Sequence, residues 1–495
     1  MLLQRAGLDT YLEPVVYMRA DCAVCRSEGF EAQTRVWVHV GNRRILATLS
    51  VVTEIGWLEP GYAALSEAAW RRLDPKPGDT ASFSHAEAPE SARLIRAKVY
   101  GQPLNRGDFT LIMRDALDGA LVDVELASFL TACAARPMST NEVIELTLAM
   151  VDVGERLRWD SKDVLDKHCV GGLAGNRTTP IVVAIVAACD GLIPKTSSRA
   201  ITSPAGTADT METLAPVNLN LAAMRRVVDR EGGCVVWGGA VGLSPADDVL
   251  IRTERVLDFD SDAQLVASVL SKKVAAGSTH VLLDLPVGPS AKLRTAEAAR
   301  QLGQQLMDVG AAIGLRVRLH ISDGSQPVGR GIGPALEARD VVNVLARSPA
   351  APQDLRERAL DLAGLLLELS GVPEGTGRAR ATRALDDGSA ERKFEAICEA
   401  QGGRRQPPKA AHTDTLAAAQ AGAVSKIDNR LLSKLAKLAG APRDAAAGVE
   451  LHAHLGAKIE KGAPLITVHA ETKGELQYAL NYHALHPGII EIAAS

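Results

Sequence analysis

Two glycine-bearing loops near the middle of the chain contain the residue types best suited to chemistry. The first loop reads DKHCVGGLAGNRTTP, and its three glycines can take backbone conformations that point successive N–H groups at one ligand. Thr178 and Thr179 begin a predicted helix, whose dipole favours an anion at its first turn. Lys167 adds a positive charge to the same loop. Together these features predict a phosphate site.

The second loop, SSRAITSPAGTADTME, follows the apolar run IVVAIVAACDGLIP, which predicts a buried helix. We expect Thr207 and Asp209 to lie at N-cap positions, with Glu212 three residues after Asp209 as in a capping box. Arg199 adds a second full positive charge. Two such helix starts on either side of one buried helix should converge on a single pocket. The alternative is two ordinary helix caps with glycines for packing.

These same strings resemble a known family. The DKHxxGG loop, followed by S-x-R-x(6)-GT-x-D-x-x-E, is similar to the thymidine and pyrimidine-nucleoside phosphorylases. The fuller second loop, the SVLSKK segment and an extra N-terminal region resemble the second branch of that family, which contains archaeal AMP phosphorylase and bacterial proteins named thymidine phosphorylases. The resemblance covers nearly the whole chain and is strongest from about Gly101 onward.

The resemblance implies an α/β fold of the nucleoside phosphorylase type. Strand alternation on either side of Gly41 and Asn42 predicts a hairpin in an N-terminal β-rich domain, and GCVVWGGAVGL and HVLLDLPVG predict buried strands of a parallel sheet. We expect four parts, whose boundaries are these: an N-terminal assembly domain at 1–95, a helical subdomain at 100–160 joined by 245–276, a large α/β sheet domain at 161–244 and 277–422, and a C-terminal barrel-sandwich-like module at 423–495.

Site residues follow from the same resemblance. Phosphate contacts are implied for Lys167, Cys169, Ser197, Thr207 and either Thr178 or Thr179, although Cys169 stands where many pyrimidine enzymes have serine. His168 is expected to face the sugar or the base. In the AMP phosphorylase branch the implied nucleotide contacts are Gly172, Ser198, Arg199, Ala200, Ile201, Thr202, Ser203, Thr207, Ser268 and Lys292, and Lys272 completes a Ser-x-x-x-Lys pair.

Asp260 is the implied proton donor to the departing base. A carboxyl group in that role needs a raised pKa, which burial or the nearby Asp258 and Asp262 would supply. Spacing alone favours another interpretation, in which Asp260 caps or opens the helix that follows.

The substrate is indicated by a departure from the pyrimidine enzymes. Those enzymes grip the pyrimidine with an arginine and a tyrosine shortly before the Ser-x-x-x-Lys pair, and an ungapped count back from Ser268 places Thr253 and Leu250 there. The pyrimidine clamp is therefore expected to be absent, unless a gap intervenes at Arg252. Lys292 makes the pocket more cationic, which favours a substrate with its own 5′-phosphate.

Composition limits the class of protein. The 495 residues are 46% apolar and 23% charged with a net charge of −4, so we expect a globular protein without bulk attraction for nucleic acid or acidic membranes. Seven scattered cysteines and an amino terminus unlike a secretion signal favour the cytoplasm. We expect no metal and no cofactor, with inorganic phosphate as a co-substrate, and a homodimer or larger homo-oligomer.

Three hypotheses follow from the sequence. The favoured one is a nucleoside 5′-monophosphate phosphorylase that releases a free base and ribose 1,5-bisphosphate. The second is a thymidine phosphorylase that yields thymine and 2-deoxy-α-D-ribose 1-phosphate. The third, from another class, is a catalytically silent nucleotide-binding assembly protein.

Overall fold

In a computed structural model the chain forms two compact units. That structure describes residues 1–28, 34–54, 56–175, 177–200, 203–257 and 261–493. The first unit comprises Met1–Arg96 with Asp115–Glu125, and the second comprises Ala97–Arg114 with Leu126–Ser495.

The first unit is built on a six-stranded sheet in the order β1-β5-β2-β4-β3-β6. The predicted hairpin is confirmed, because β3 and β4 pair antiparallel across the turn at Gly41 and Asn42. One face of the sheet buries Leu3, Val16 and Val36 in a common core. Its elements and the helix that follows are β1 (Leu2–Arg5), β2 (Val15–Arg19), α1 (Ala23–Glu28), β3 (Arg35–Val40), β4 (Arg43–Val52), β5 (Tyr62–Leu65), α2 (Glu67–Leu73), β6 (Ser82–His85) and α3 (Glu90–Val99).

The rest of the chain alternates helices and strands. Its elements are α4 (Arg106–Leu117), α5 (Asp123–Ala135), α6 (Thr140–Asp152), β7 (Leu165–Cys169), α7 (Thr178–Ala188), β8 (Ile193–Ser197), α8 (Thr207–Glu212), α9 (Leu221–Glu231), β9 (Gly233–Trp237), α10 (Pro245–Leu257), α11 (Asp262–Ala275), β10 (His280–Val287), α12 (Ala296–Ala312), β11 (Arg316–Asp323), β12 (Gly331–Ile332), α13 (Pro334–Leu345), α14 (Gln353–Leu369), α15 (Gly377–Asp386), α16 (Ser389–Gln401), β13 (His412–Ala417), β14 (Gly422–Ile427), α17 (Asn429–Leu438), β15 (Gly448–Leu451), β16 (Lys458–Ile459), β17 (Pro464–Ala470), α18 (Lys473–Leu485) and β18 (Ile490–Ala493).

The strands predicted for one parallel sheet fall into two hydrogen-bonded sheets. One has the order β11-β10-β7 and the other contains β8 and β9, with every pair parallel. A single parallel bridge between Val164 and Leu192 joins them edge to edge. Because β7, β8 and β9 run in the same direction, their carboxyl ends at Cys169, Ser197 and Trp237 meet on one side, where α/β proteins bind ligands.

Helix α7 is buried on every side, as the apolar run predicted. Residues from Thr178 to Ala187 are all buried, and α14 and α16 pack around the helix. Their shared core contains Ile181, Ile185 and Leu362. A helix that is apolar all round must be enclosed by protein, so the loop before α7 starts from a rigid base.

Helices α6 and α11 pack together although more than a hundred residues separate them along the chain. Val143 of α6 and Val266 and Leu270 of α11 belong to one core. The hydroxyl of Ser139 caps α6 by accepting the backbone N–H of Glu142 at 3.2 Å. This packing brings the Ser268 to Lys273 segment beside β7.

The carboxyl-terminal region forms two small antiparallel sheets. One has the order β12-β15-β17-β13 and the other β16-β14-β18, with α17 and α18 packed between and beside them. Val449, Ile466 and Val468 lie in their common core. Strand β12 comes from the loop before α13, so this region is tied to the α/β part of the chain by backbone hydrogen bonds. Among the described residues, no helix has the length and apolar character needed to cross a bilayer.

Candidate active site

A cavity of about 520 Å³ lies where β7, β8 and β9 end, a size ordinary for a small-molecule site. The two glycine-bearing loops converge on it, as the sequence predicted. The predicted site residues on its wall are Lys167, His168, Cys169, Gly172, Thr179, Ser197, Ser198, Arg199, Ala200, Ser203, Thr207, Ser268, Lys272 and Lys292.

One described site residue is not on that wall, and three others lie outside the described residues. Thr178 is buried behind it, so of the two alternative threonines it is Thr179 that reaches the cavity. Ile201, Thr202 and Asp260 lie outside the described residues, and their roles stay predictions.

The first loop turns at Gly171, whose φ of 107° is a conformation that side-chain-bearing residues rarely adopt. A Cβ atom at this position would lie only 2.8 Å from the Cβ of Lys292. Gly171 therefore permits both the turn and the close approach of Lys292, which reaches the cavity from the segment after β10.

Lys167 is fully buried beneath the loop. Its Nζ donates to Oγ1 of Thr178 at 2.8 Å, and that hydroxyl donates to the carbonyl of Gly175 at 2.7 Å. Burial lowers the pKa of Lys167, while the nearby Cys169 and Asp284 oppose the shift. Because its hydrogen bonds within the described chain go to neutral oxygens, this ammonium group is suited to an anion in the cavity.

A buried charge cluster lies under the same wall, and little in the sequence indicated it. Asp166 contacts Lys195 at 3.1 Å and Lys273 at 2.9 Å, and both lysines line the cavity. Burial alone would raise the pKa of Asp166, but the two lysines outweigh it and hold that pKa below its usual value. Two cations share one carboxylate, so the cluster favours a bound anion.

Two loop residues next to Lys167 are held in their neutral forms. Burial, and then the charges of Lys273 and Lys195, place the pKa of His168 well below its usual value, so the ring faces the cavity as neutral imidazole. Burial followed by the charge of Asp284 raises the pKa of the Cys169 thiol to about 12. Neither group adds a charge to the site at neutral pH.

The second loop is closed differently from the prediction. Gly206, and not Thr207 or Asp209, is the N-cap of α8. Asp209 lies in the first turn, where its carboxylate accepts the backbone N–H groups of Gly206 at 2.9 Å and Ala200 at 2.6 Å. A side chain at the N-cap would collide with the backbone of residues 198–200, so glycine was selected over the usual capping residues. Asp209 thus fixes the backbone of the second loop at Ala200 and at Gly206.

Arg199 does not supply the full positive charge expected of it. Its guanidinium group bonds Glu212 at 2.6 Å and Asp209 at 3.1 Å, and it lies over the ring of Trp237. Glu212 is therefore an ion-pair partner and not a member of a capping box. Arg199 lines the cavity mainly as a fixed part of the loop.

Ser197 ends β8 and has an unusual hydroxyl. The residue is 7% exposed and lies on the cavity wall, yet its Oγ atom has no hydrogen-bond partner among the described residues. A buried hydroxyl without a partner costs free energy, commonly about 1–3 kcal/mol. A ligand oxygen in the cavity would satisfy it, which fits the predicted contact with phosphate.

Helix α10 corrects the ungapped count made from Ser268. Leu250 and Thr253 are both buried and lie off the cavity. The described α10 residues on the wall include Ile251 and Glu254, so the ungapped count does not give the residues that face the cavity. Neither of these two is an arginine or a tyrosine. The absence of a pyrimidine clamp stays a prediction.

The helix after Asp260 begins at a different residue from the one considered. Ser261 is the N-cap of α11, and its hydroxyl accepts the backbone N–H of Gln264. Asp262 follows in the first turn, where its charge complements the helix dipole. The N-cap of α11 is therefore Ser261 and not Asp260, which itself lies outside the described residues.

Three family models match the chain. Residues 92–154 match the helical bundle domain of a glycosyl transferase family, and residues 161–391 match the a/b domain of the same family. Residues 423–484 match the pyrimidine nucleoside phosphorylase C-terminal domain.

Similar proteins match almost the full length of the chain. "Putative thymidine phosphorylase 1" from Acidovorax sp. (strain JS42) is 59% identical over 490 residues, which cover 99% of this chain and 96% of that protein. The protein named "Putative thymidine phosphorylase" from Hahella chejuensis is 56% identical over 493 residues, which cover 99% of this chain and 97% of that protein.

A solved structure shares the fold. Anthranilate phosphoribosyltransferase from Thermus thermophilus aligns with a TM-score of 0.51 at 19% identity, covering 62% of this chain and 98% of that one. At this identity the likeness concerns the fold alone.

Proposed function

Because this chain belongs to the thymidine and pyrimidine-nucleoside phosphorylase family of pentosyltransferases, we propose that it cleaves nucleoside 5′-monophosphates with inorganic phosphate. The products are a free base and ribose 1,5-bisphosphate. An oxygen of phosphate forms a bond to the anomeric carbon, the N-glycosidic bond breaks with its electron pair going to the base, and the base takes up a proton.

The attacking phosphate is assigned to the end of the cavity formed by the two loops. Lys167 and the net positive Asp166 cluster lie under that end, and Ser197 offers a hydroxyl without a partner in the described chain. Helices α7 and α8 both begin there, so their dipoles add to the attraction for an anion. Fixed donors of this kind also stabilise charge that develops during the reaction.

The observation that carries the preference for a nucleotide is the position of Lys292. It reaches the cavity beside Gly171 from a different segment than Lys167, so lysines approach the cavity from separate parts of the chain. Ribose 1,5-bisphosphate carries two phosphate groups, and two separated lysines suit such a product. We assign Lys292 to the 5′-phosphate and Lys167 to the attacking phosphate.

The second candidate function is thymidine phosphorylase, because that activity is in the names of the relatives. The wall residues Ile251 and Glu254 oppose it, since neither supplies the cation with which the family's arginine holds the pyrimidine. The third hypothesis, a catalytically silent binding protein, is disfavoured because the chain belongs to a family of enzymes.

The deciding experiment incubates the protein with phosphate and AMP, CMP, adenosine or thymidine, and measures released base and the phosphorylated sugar by ³¹P NMR. We expect AMP or CMP to be cleaved with a higher kcat/KM than thymidine. Lys292→Met should raise KM for the nucleotide and leave KM for phosphate nearly unchanged, while Lys409→Met, at an exposed position away from the cavity, serves as the matched control. Efficient cleavage of thymidine with AMP and CMP inert would favour the second candidate.

A further inference from the structure

Helix α10 turns two carboxylates toward the cavity. Ser244, Asp248, Ile251 and Glu254 all lie on the wall, and their spacing of four, three and three residues puts them on one face of the helix. Nothing in the handling of phosphate requires an acid here. If the two carboxylates contact the substrate, they must therefore contact a part of it other than phosphate.

The residues around these two carboxylates suit an aromatic ring. Leu265 and Val269 of α11 also line the cavity, and together with Ile251 they give an apolar surface beside the acids. We call Asp248, Ile251, Glu254, Leu265 and Val269 the base wall. A flat apolar surface with a few fixed polar groups is the usual form of a site for a heterocycle.

The carboxyl groups on this side of the cavity belong to Asp248 and Glu254. Lys272 is the cation of α11 nearest the acids, and its Nζ lies 2.5 Å from Oδ2 of the buried Asp247. That contact offsets its charge within the protein, while Lys273 is held by Asp166. Burial raises the pKa of the Asp248 carboxyl, while Lys272 opposes the shift, and the base wall holds no cation among its described residues. The base wall therefore suits a neutral group that donates hydrogen bonds.

Carboxylates discriminate between bases by the direction of their hydrogen bonds. An ionised carboxylate only accepts, so it pairs with the exocyclic amino group of adenine or cytosine. It repels the oxygen that hypoxanthine, uracil or thymine carries at the same place. A site built to accept from an amino group discriminates strongly because the wrong base leaves buried polar groups unpaired.

We propose that Glu254, assisted by Asp248, selects bases that carry an exocyclic amino group, so that the substrates are adenine or cytosine nucleotides. The inference rests on the phosphorolysis proposed above and adds the class of base. It makes Glu254 a specificity-determining residue on the base wall.

The test uses two pairs of substrates that differ in one amino group, AMP against IMP and CMP against UMP. We expect kcat/KM of the wild type to favour the amino member of each pair by about tenfold or more. Glu254→Gln, which keeps the shape and adds a donor, should bring both ratios to within about threefold of one. Glu297→Gln is the matched control, because that exposed carboxylate pairs with Arg300 on α12 and should leave both ratios unchanged.

The outcomes separate the two proposals. Ratios near one in the wild type, with nucleotides cleaved, would overturn the selection of amino bases and leave nucleotide phosphorolysis standing. If thymidine is cleaved and all four nucleotides are inert, the proposed function fails, and the pairs adenosine and inosine, and cytidine and uridine, then test the base wall by itself. Unchanged ratios in a folded E254Q variant would overturn the role of Glu254. Weaker inhibition of the wild type by hypoxanthine than by adenine supports the proposal without any variant, and equal inhibition counts against it.

Discussion

The Nζ atom of Lys273 lies 2.9 Å from Oδ2 of Asp166, beneath the wall that meets the ends of three parallel strands. Lys195 contacts the other carboxylate oxygen, so the contact joins α11, β7 and β8 at one buried point. Burial, opposed by Asp166, lowers the pKa of Lys273 to about 7, which is within the working range of an enzyme. The charge under the anion site is therefore adjustable by pH.

The first prediction concerns that charge. Below pH 7 Lys273 is protonated and attracts an anion, and above pH 7 the attraction is lost. Sulfate keeps its own charge over this range, so its inhibition constant against phosphate should rise about three- to tenfold between pH 6 and pH 8. His168 does not contribute, because its pKa lies well below this window. A flat profile would show that Lys273 keeps one charge state throughout.

Lys167→Ala should raise the phosphate concentration that gives half the maximal rate. The substitution removes a charge-assisted contact worth roughly 1.5–3 kcal/mol, which corresponds to about ten- to hundredfold. Lys461→Ala, at an exposed position of the C-terminal region, is the control for loss of one positive charge. Equal phosphate dependence in the two variants would refute the assignment of Lys167.

Asp260→Asn tests the proton donor that the resemblance implies. Binding of the nucleotide, measured by calorimetry, should change little. Turnover should fall by about 10²–10⁴-fold, the usual contribution of general acid catalysis. Turnover close to that of the wild type would move the proton donor to another residue.

Cys169 should resist alkylation in spite of its place on the cavity wall. With a pKa of about 12, only on the order of 10⁻⁴ of the thiol is ionised at pH 8, and the thiolate is the reactive form. Iodoacetamide at pH 8 should leave activity intact, and Cys169→Ser should behave as the wild type does under the same treatment. Inactivation that phosphate prevents, absent in the serine variant, would mean that the thiol ionises more easily.

We expect the full chain to form a homodimer or larger homo-oligomer. Light scattering at micromolar concentration should report at least twice the mass of one chain. A mass equal to one chain would remove the assembly role expected of the N-terminal region.

The two loops and α7 could be predicted because their signals are local. Glycines, helix-starting threonines and an unbroken apolar run act within about fifteen residues of one another. The loops then converge because parallel strands end on one side of a sheet, which is a general property of the fold. The wall residues Lys167 and Thr207 follow from these rules, whereas Ser197 was implied only by the resemblance to the family.

The Asp166 cluster could not be predicted in this way. Lys195 reaches Asp166 from the adjoining sheet and Lys273 reaches it from α11, so the contact depends on packing between distant segments. The period of two along β8, which places Lys195 and Ser197 on one face, was the one available signal. A count along the chain also missed the orientation of α10, because one residue turns a helix by about 100° and the cavity is faced by Glu254 and not by Thr253.

The N-terminal unit includes Asp115–Glu125 as well as the first 96 residues. The chain therefore passes between the two units three times, and Arg35 donates a hydrogen bond to the carbonyl of Gly119 within the first unit. Deletion of one continuous segment therefore cannot remove this unit alone and in full. A deletion that stops near residue 90 would leave an eleven-residue remnant without its native neighbours, so a shorter enzyme of this type requires a second deletion or a redesigned loop between α4 and α5.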